Sequence, residues 1–219
     1  MNSLLPHIAL ETGKLPQHSI IWLHGLGADG HDFVPVAEQM DLPVAIRYIF
    51  PHAPQRPVTI NGGFVMRAWY DIVCPSIDAQ QDEQGICASQ QAVEALIAQE
   101  VAQGTPPERI YLAGFSQGGA IALHTGLRQR VALGGVLALS TYLPLVEQAC
   151  RATTVAAVCT PIFMAHGRHD EVVPPALGLA SRDKLRELGY TVEWHEYGMG
   201  HSVCVEELGD IQSWFARQL

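Results

Sequence analysis

The run Gly114-Phe115-Ser116-Gln117-Gly118 sets a serine hydroxyl between two glycines, each two residues away. An apolar, β-rich stretch (RIYLA) precedes it and a small, apolar helical stretch follows. A sharp strand-to-helix turn holds such a serine clear of the sheet and aims the free N–H groups of the helix start at the reacting centre. Flanking glycines leave room where a Cβ would collide with backbone. The chemistry implied is nucleophilic attack on an acyl carbonyl, with Ser116 as nucleophile.

A serine hydroxyl is a weak nucleophile and needs a base, itself oriented by a carboxylate. With a nucleophile on this kind of turn, the acid and then the histidine follow later in the chain. Five histidines lie downstream: His124, His166, His169, His195 and His201. His124 falls two turns into the helix and His195 inside a strand pattern. His201, in Gly198-Met199-Gly200-His201-Ser202, lies in a loop between the last strand and the last helix, where a side chain can swing over the sheet edge. The expected acid is Asp170, in the loop after PIFMA. Its neighbour Glu171 is the competitor; adjacent side chains in an extended loop diverge, so only one of the two can serve. Read as metal ligands, His166, His169 and Asp170 lack a third ordered ligand, and Arg168 adds repulsive charge. No metal or cofactor is expected.

The developing oxyanion needs backbone donors. His24-Gly25-Leu26-Gly27 follows the first strong strand and is a variant of the glycine-rich loop that supplies them. The N–H groups of Leu26 and Gln117 are the expected pair.

The elements that must position these groups alternate along the chain. Strands are predicted at Ser19–Leu23, Val44–Phe50, Arg109–Ala113, Gly135–Leu139 and Pro161–Ala165, with Thr191–Tyr197 nearer an edge. Continuous apolar runs of this kind suit strands covered on both faces. Helical patterns lie between them: a face of Val93, Leu96, Ile97 and Val101 ending near Gly104, then Gln117–Leu127, Pro174–Leu188 and Val203–Gln218. The stretch His52–Gln84 breaks the rhythm, and Asn61-Gly62-Gly63 suggests a hairpin turn. The prediction is one α/β domain over residues 1–219: a mostly parallel central sheet, helices on both faces, no room for a large cap.

Composition excludes several classes. The net charge is -9, 48% of residues are hydrophobic and 16% charged. Nucleic acid and anionic lipid would be repelled, and a disordered chain is not expected. No apolar run reaches the ~20 residues of a membrane span, and Met1–Gln17 lacks the pattern of a signal peptide. Five cysteines with no C-x-x-C pair argue against a disulfide framework. A cytoplasmic protein is expected, not an integral membrane protein.

Taken together, IIWLHGLGADG, FPHAP, NGG, WYDI, GFSQGGAIALHT, GGVLALSTYLP, HGRHDEVVP and YGMGHS resemble the phospholipase/carboxylesterase family that includes acyl-protein thioesterases, its bacterial carboxylesterase branch above all. The resemblance spans nearly the whole chain. It implies an α/β-hydrolase fold, the triad Ser116, Asp170 and His201, and oxyanion donors Leu26 and Gln117. It also implies that the His52–Asp71 region lines the acyl site. Where relatives often carry Pro-Ser before Trp-Tyr/Phe-Asp, this chain reads Arg67-Ala68, a departure expected to alter the pocket rim. Met66, Trp69, Tyr142 and Leu143 are the expected acyl-binding wall. The expected activity is hydrolysis of short to medium acyl esters, with thioesters, lysolipids or acylated proteins as alternative substrates of one mechanism. A catalytically silent binder of the same fold is the non-enzymatic alternative, and a dienelactone-type hydrolase would favour Cys at position 116. A monomer or weak homodimer is the family expectation.

Overall fold

The computed structural model describes residues 4–74 and 80–219. In chain order its strands and helices are β1 (His7–Glu11), β2 (His18–Leu23), α1 (Val34–Gln39), β3 (Ile46–Pro51), β4 (Gln55–Val58), β5 (Phe64–Arg67), α2 (Glu83–Ala102), β6 (Ile110–Phe115), α3 (Gln117–Gly126), β7 (Gly135–Leu139), α4 (Val146–Ala152), β8 (Ile162–Gly167), α5 (Pro175–Glu187), β9 (Val192–Tyr197) and α6 (Val205–Gln218). Seven strands form one sheet in the order β1-β3-β2-β6-β7-β8-β9, and β4 and β5 form a separate hairpin. Every neighbouring pair in the large sheet is parallel except β1 with β3. This is the α/β-hydrolase architecture.

Strand alternation divides the core in two. Ile21, Leu23, Ile110 and Leu112 face one side and pack with α2, α3 and α5 through residues such as Val93, Leu96, Ile121 and Leu185. Ile20, Trp22, Tyr111 and Ala113 face the other and meet α1 and α6 through Ala37, Ile211, Trp214 and Phe215. A strand buried on both faces has no polar side to show, so the central strands read as unbroken apolar runs. Helix α3 is buried at every residue from Gln117 to Gly126. Its small side chains let it lie close against the sheet behind the serine turn.

The six predicted strands are all present; Gly135–Leu139 has the expected bounds and the other five have shifted ends. β6 continues through Gly114 and Phe115, directly up to Ser116, and β8 runs on through His166 and Gly167. β3 starts at Ile46 because its ladder with β2 begins at the pair His18 and Ile46, which leaves Val44 outside. β9 lies at the sheet edge, as its alternation suggested. The hairpin joins Val58 to Phe64 through a 3-10 turn over 59–61, with Gly62 and Gly63 at positive φ. The pattern missed β1, α1 and α4: each is short, and β1 is an edge strand whose partner lies 40 residues downstream, Ala9 opposite Ile49. No helix among the described residues is long and apolar enough to cross a membrane.

Candidate active site

Ser116 sits between β6 and α3 with φ 53° and ψ -120°. A non-glycine residue held there costs about 1–3 kcal/mol and persists only where its surroundings over-determine it. They do so here. The Ser116 N–H donates to the Leu139 carbonyl of β7 at 2.8 Å. Its carbonyl accepts from Ala120 N–H at 3.1 Å and from Thr141 Oγ1 at 2.6 Å. The glycines have steric reasons: a Cβ on Gly114 would collide with the Gly118 carbonyl, and one on Gly118 with the carbonyls of Leu23 and His24 at the end of β2.

The structure brings Ser116, His201 and Asp170 into one hydrogen-bonded line. His201 Nε2 lies 2.9 Å from Ser116 Oγ, and His201 Nδ1 lies 2.7 Å from Asp170 Oδ2. For the serine O–H to donate to Nε2, the imidazole must carry its proton on Nδ1 and donate it to the carboxylate. Asp170 is 4% exposed. Its second oxygen accepts from the N–H groups of Val172 and Val173 at 2.9 and 2.8 Å. The charge is thus met by three donors. The loops carrying acid and base are joined by His169 N–H to the Met199 carbonyl at 3.0 Å. The His201 ring packs on Phe115 at 4.8 Å between centroids.

The rejected residues lie elsewhere. Glu171 and His169 are exposed. His195 joins a network with Glu193 and Asp210. His124 is fully buried in α3, and desolvation pushes its pKa down to about 3. His166 is buried behind the acid, donating from Nε2 to the Val173 carbonyl at 2.9 Å, with Asp170 Oδ2 at 3.5 Å.

Leu26 and Gln117 line the same cavity of about 260 Å³ as Ser116 and His201. Gln117 is the first residue of α3, so its N–H lies outside the helical ladder. In the facing loop the Gly27 N–H is taken by the Arg67 carbonyl at 2.9 Å and that of Ala28 by Gly25 at 3.3 Å. Leu26 directly precedes these two strapped residues.

The cavity wall departs from expectation. Tyr142 lines it, together with Tyr70, Ile72, Phe115, Val172 and Val173. Trp69 does not: it is fully buried, its N–H and Nε1–H spent on Gln117 Oε1 at 2.8 Å and the His24 carbonyl at 2.9 Å. Neighbouring Tyr70 faces the cavity in its place and shares a 2.8 Å hydrogen bond with the Tyr142 hydroxyl. Leu143 belongs to the adjoining groove between α4 and α5. Met66 is outside the described lining and accepts a hydrogen bond at sulfur from Asn61. The Arg67 guanidinium is turned from the cavity and donates to the Ala53 carbonyl at 2.9 Å.

Three side chains whose roles the sequence did not show hold this wall. His24 donates from Nδ1 to the Gly25 carbonyl at 2.7 Å and accepts from Ala53 N–H at Nε2, at 3.0 Å. Both roles require the neutral ring, and burial pushes its pKa down to about 4. His52 Nδ1 accepts from Gly30 N–H at 3.0 Å, joining the same two loops. The Gln117 side chain completes the set, since its Nε2 donates to the Tyr70 carbonyl at 2.8 Å. The signal for the histidines was the paired HGLG and FPHAP loops, each with one histidine beside glycine or proline.

The phospholipase/carboxylesterase family model matches residues 6–218. The chain belongs to this family. It is 40% identical to acyl-protein thioesterase 1 of Neurospora crassa, across 99% of this chain and 91% of the relative. Its fold superposes on Arabidopsis thaliana SOBER1 with TM-score 0.87 at 37% identity, covering 92% of this chain and 98% of that one. Acyl-protein thioesterase 2 of Zea mays gives TM-score 0.86 at 29% identity, covering 97% and 98%. As a phospholipase/carboxylesterase family member, the protein is an esterase-class hydrolase.

Proposed function

We propose that this enzyme is a serine carboxylesterase that hydrolyses short to medium acyl esters and acyl thioesters through a Ser116–His201–Asp170 triad and an acyl-enzyme intermediate. The observation that carries this reading is the 2.9 and 2.7 Å line from Ser116 Oγ through the imidazole to a buried carboxylate. His201 takes the serine proton as Oγ attacks the acyl carbonyl. Asp170 holds the imidazole in its Nδ1–H form and stabilises the imidazolium. The oxyanion forms against the N–H groups of Leu26 and Gln117, each worth about 2.7–4 kcal/mol to the transition state. His201 then protonates the leaving alcohol or thiol, and water, activated in turn by His201, releases the acid.

The names of the thioesterase relatives favour thioesters alongside oxygen esters. The apolar wall of Ile72, Tyr142, Val172 and Val173 suits an acyl chain. One sheet positions the triad residues, which supports reading residues 1–219 as one catalytic domain. Five cysteines with no C-x-x-C pair suit a reducing compartment such as the cytoplasm.

The deciding test is paired. A fluorophosphonate should label the wild-type protein at Ser116, and Ser116→Ala should lose about 10⁴-fold or more of its esterase and thioesterase turnover. Turnover that survives this substitution would break the proposal, and a silent binder would resist the label.

A further inference from the structure

Among the described residues lining the Ser116 cavity, Asp32 carries the one carboxylate, and the catalytic cycle above does not use it. Its position is anchored from both sides. Its N–H donates to the Asp29 carbonyl at 3.1 Å, and the next residue, Phe33, is buried between Trp22 and Phe115, with ring centroids at 5.0 and 5.9 Å. Asp29, three residues earlier, has its carboxylate occupied by the backbone N–H and Nδ1 of His31, at 2.8 and 2.9 Å. Asp32 has no such partner among the described residues. Asp32 is exposed at the cavity; partial desolvation of its carboxyl and the like-signed Asp29 hold it above the usual carboxylate range. The cavity therefore presents an uncompensated anion within reach of a bound substrate.

We propose that Asp32 is a specificity-determining residue that selects alcohol or thiol leaving groups bearing a cationic centre, an ammonium or guanidinium, over anionic ones. The inference rests on the hydrolase reading above and names the leaving-group class for that site. The acyl chain claims the apolar wall, so the carboxylate is left to the departing side. A cation there gains an unpaired counter-charge, whereas a carboxylate or phosphate meets repulsion, both screened by solvent because Asp32 is exposed.

The test uses three butyryl thioesters of matched acyl chain: butyrylthiocholine (cationic), S-butyryl-N-acetylcysteamine (neutral) and S-butyryl-3-mercaptopropionate (anionic). Comparing wild type with variant cancels their intrinsic reactivities. Asp32→Asn should lower the cationic-to-anionic ratio of kcat/KM on the order of tenfold. Asp32→Lys should lower it further, and high salt should compress the wild-type ratio. Ser116-dependent turnover with a ratio unmoved in both variants overturns the Asp32 assignment alone. Turnover of the neutral thioester that persists in Ser116→Ala breaks the hydrolase reading itself, and with it this one.

Discussion

The two sides of the Ser116 cavity are built by different means. On one side, the hydrogen-bonded Ser116, Asp170 and His201 stand beyond the ends of β6, β8 and β9, adjacent or nearly adjacent strands whose ladders fix their spacing. On the other, the oxyanion loop and the wall from residue 52 to residue 72 lie outside the large sheet, as loops around the short β4–β5 hairpin. There, buried or half-buried side chains satisfy backbone groups that a ladder would otherwise pair: His24 to Ala53, His52 to Gly30, Gln117 to Trp69 and Tyr70. Sheet geometry is indifferent to pH. A wall tied by neutral imidazoles is not. One side should fail through chemistry, the other through acid and local loosening.

The largest expected effect lies on the strand-built side. Asp170→Asn leaves the loop nearly isosteric but cannot hold the His201 Nδ1–H tautomer as a charged acceptor does. Its kcat should fall about 10³- to 10⁴-fold with a far smaller effect on KM. An acid residue that proved dispensable in steady-state kinetics would erase the distinction between the two sides.

Acid is the probe of the loop-built side. The folded pKa of His24, about 4, lies below its unfolded value of ~6.5, so the unfolded chain binds the proton first. His24 therefore contributes stability above pH ~6.5, and that contribution drains away as pH falls towards 4. Its full size is on the order of 3 kcal/mol. Urea midpoints measured from pH 7.5 to 4.5 should drop accordingly, and His24→Gln should flatten its share of the slope. His124, buried in α3, adds to the same trend and is separated by its own variant.

Gln117→Ala isolates the wall without touching the oxyanion N–H. It frees the Trp69 N–H and the Tyr70 carbonyl, both buried groups, at about 1–3 kcal/mol each if unsatisfied. Thermal melts should show a lowered Tm, and kcat/KM should fall by about tenfold while fluorophosphonate still labels Ser116. The smallest effect belongs to Arg67. Arg67→Ala removes one hydrogen bond to the Ala53 carbonyl, about 1 kcal/mol, and should leave acyl-length preference unchanged in an ester panel.

The triad side was legible in the sequence because each of its residues follows a strand that announces itself. A strand buried on both faces must be apolar throughout, and a nucleophile on a tight turn must have glycine where Cβ atoms would collide. Hence Ser116, Asp170, His201 and six of the seven strands of the large sheet could be placed from residue order. Divergence of adjacent side chains in the loop allowed only one of Asp170 and Glu171 to serve, and the structure leaves Glu171 exposed.

The wall was not legible in the same way. Between residues 52 and 72 no period governs which side chain faces the cavity, so size and apolarity stood in for orientation. Trp69 was the natural choice, yet its indole N–H needs a buried partner and finds it in the His24 carbonyl, which puts Tyr70 at the cavity. Arg67, read as a rim residue, points back to Ala53 for the same reason: a half-buried cation seeks the nearest free carbonyl. By itself, the sequence determined the sheet, the turn that exposes Ser116 and the order of its partners, because those follow from local pattern and steric exclusion. The tertiary structure alone decided which aromatic lines the cavity, which histidines stay neutral inside it and that Asp32 stands there without a counter-charge. Those outcomes depend on hydrogen-bond partners and charges distant in the chain, which meet only once the loops have folded over the sheet edge.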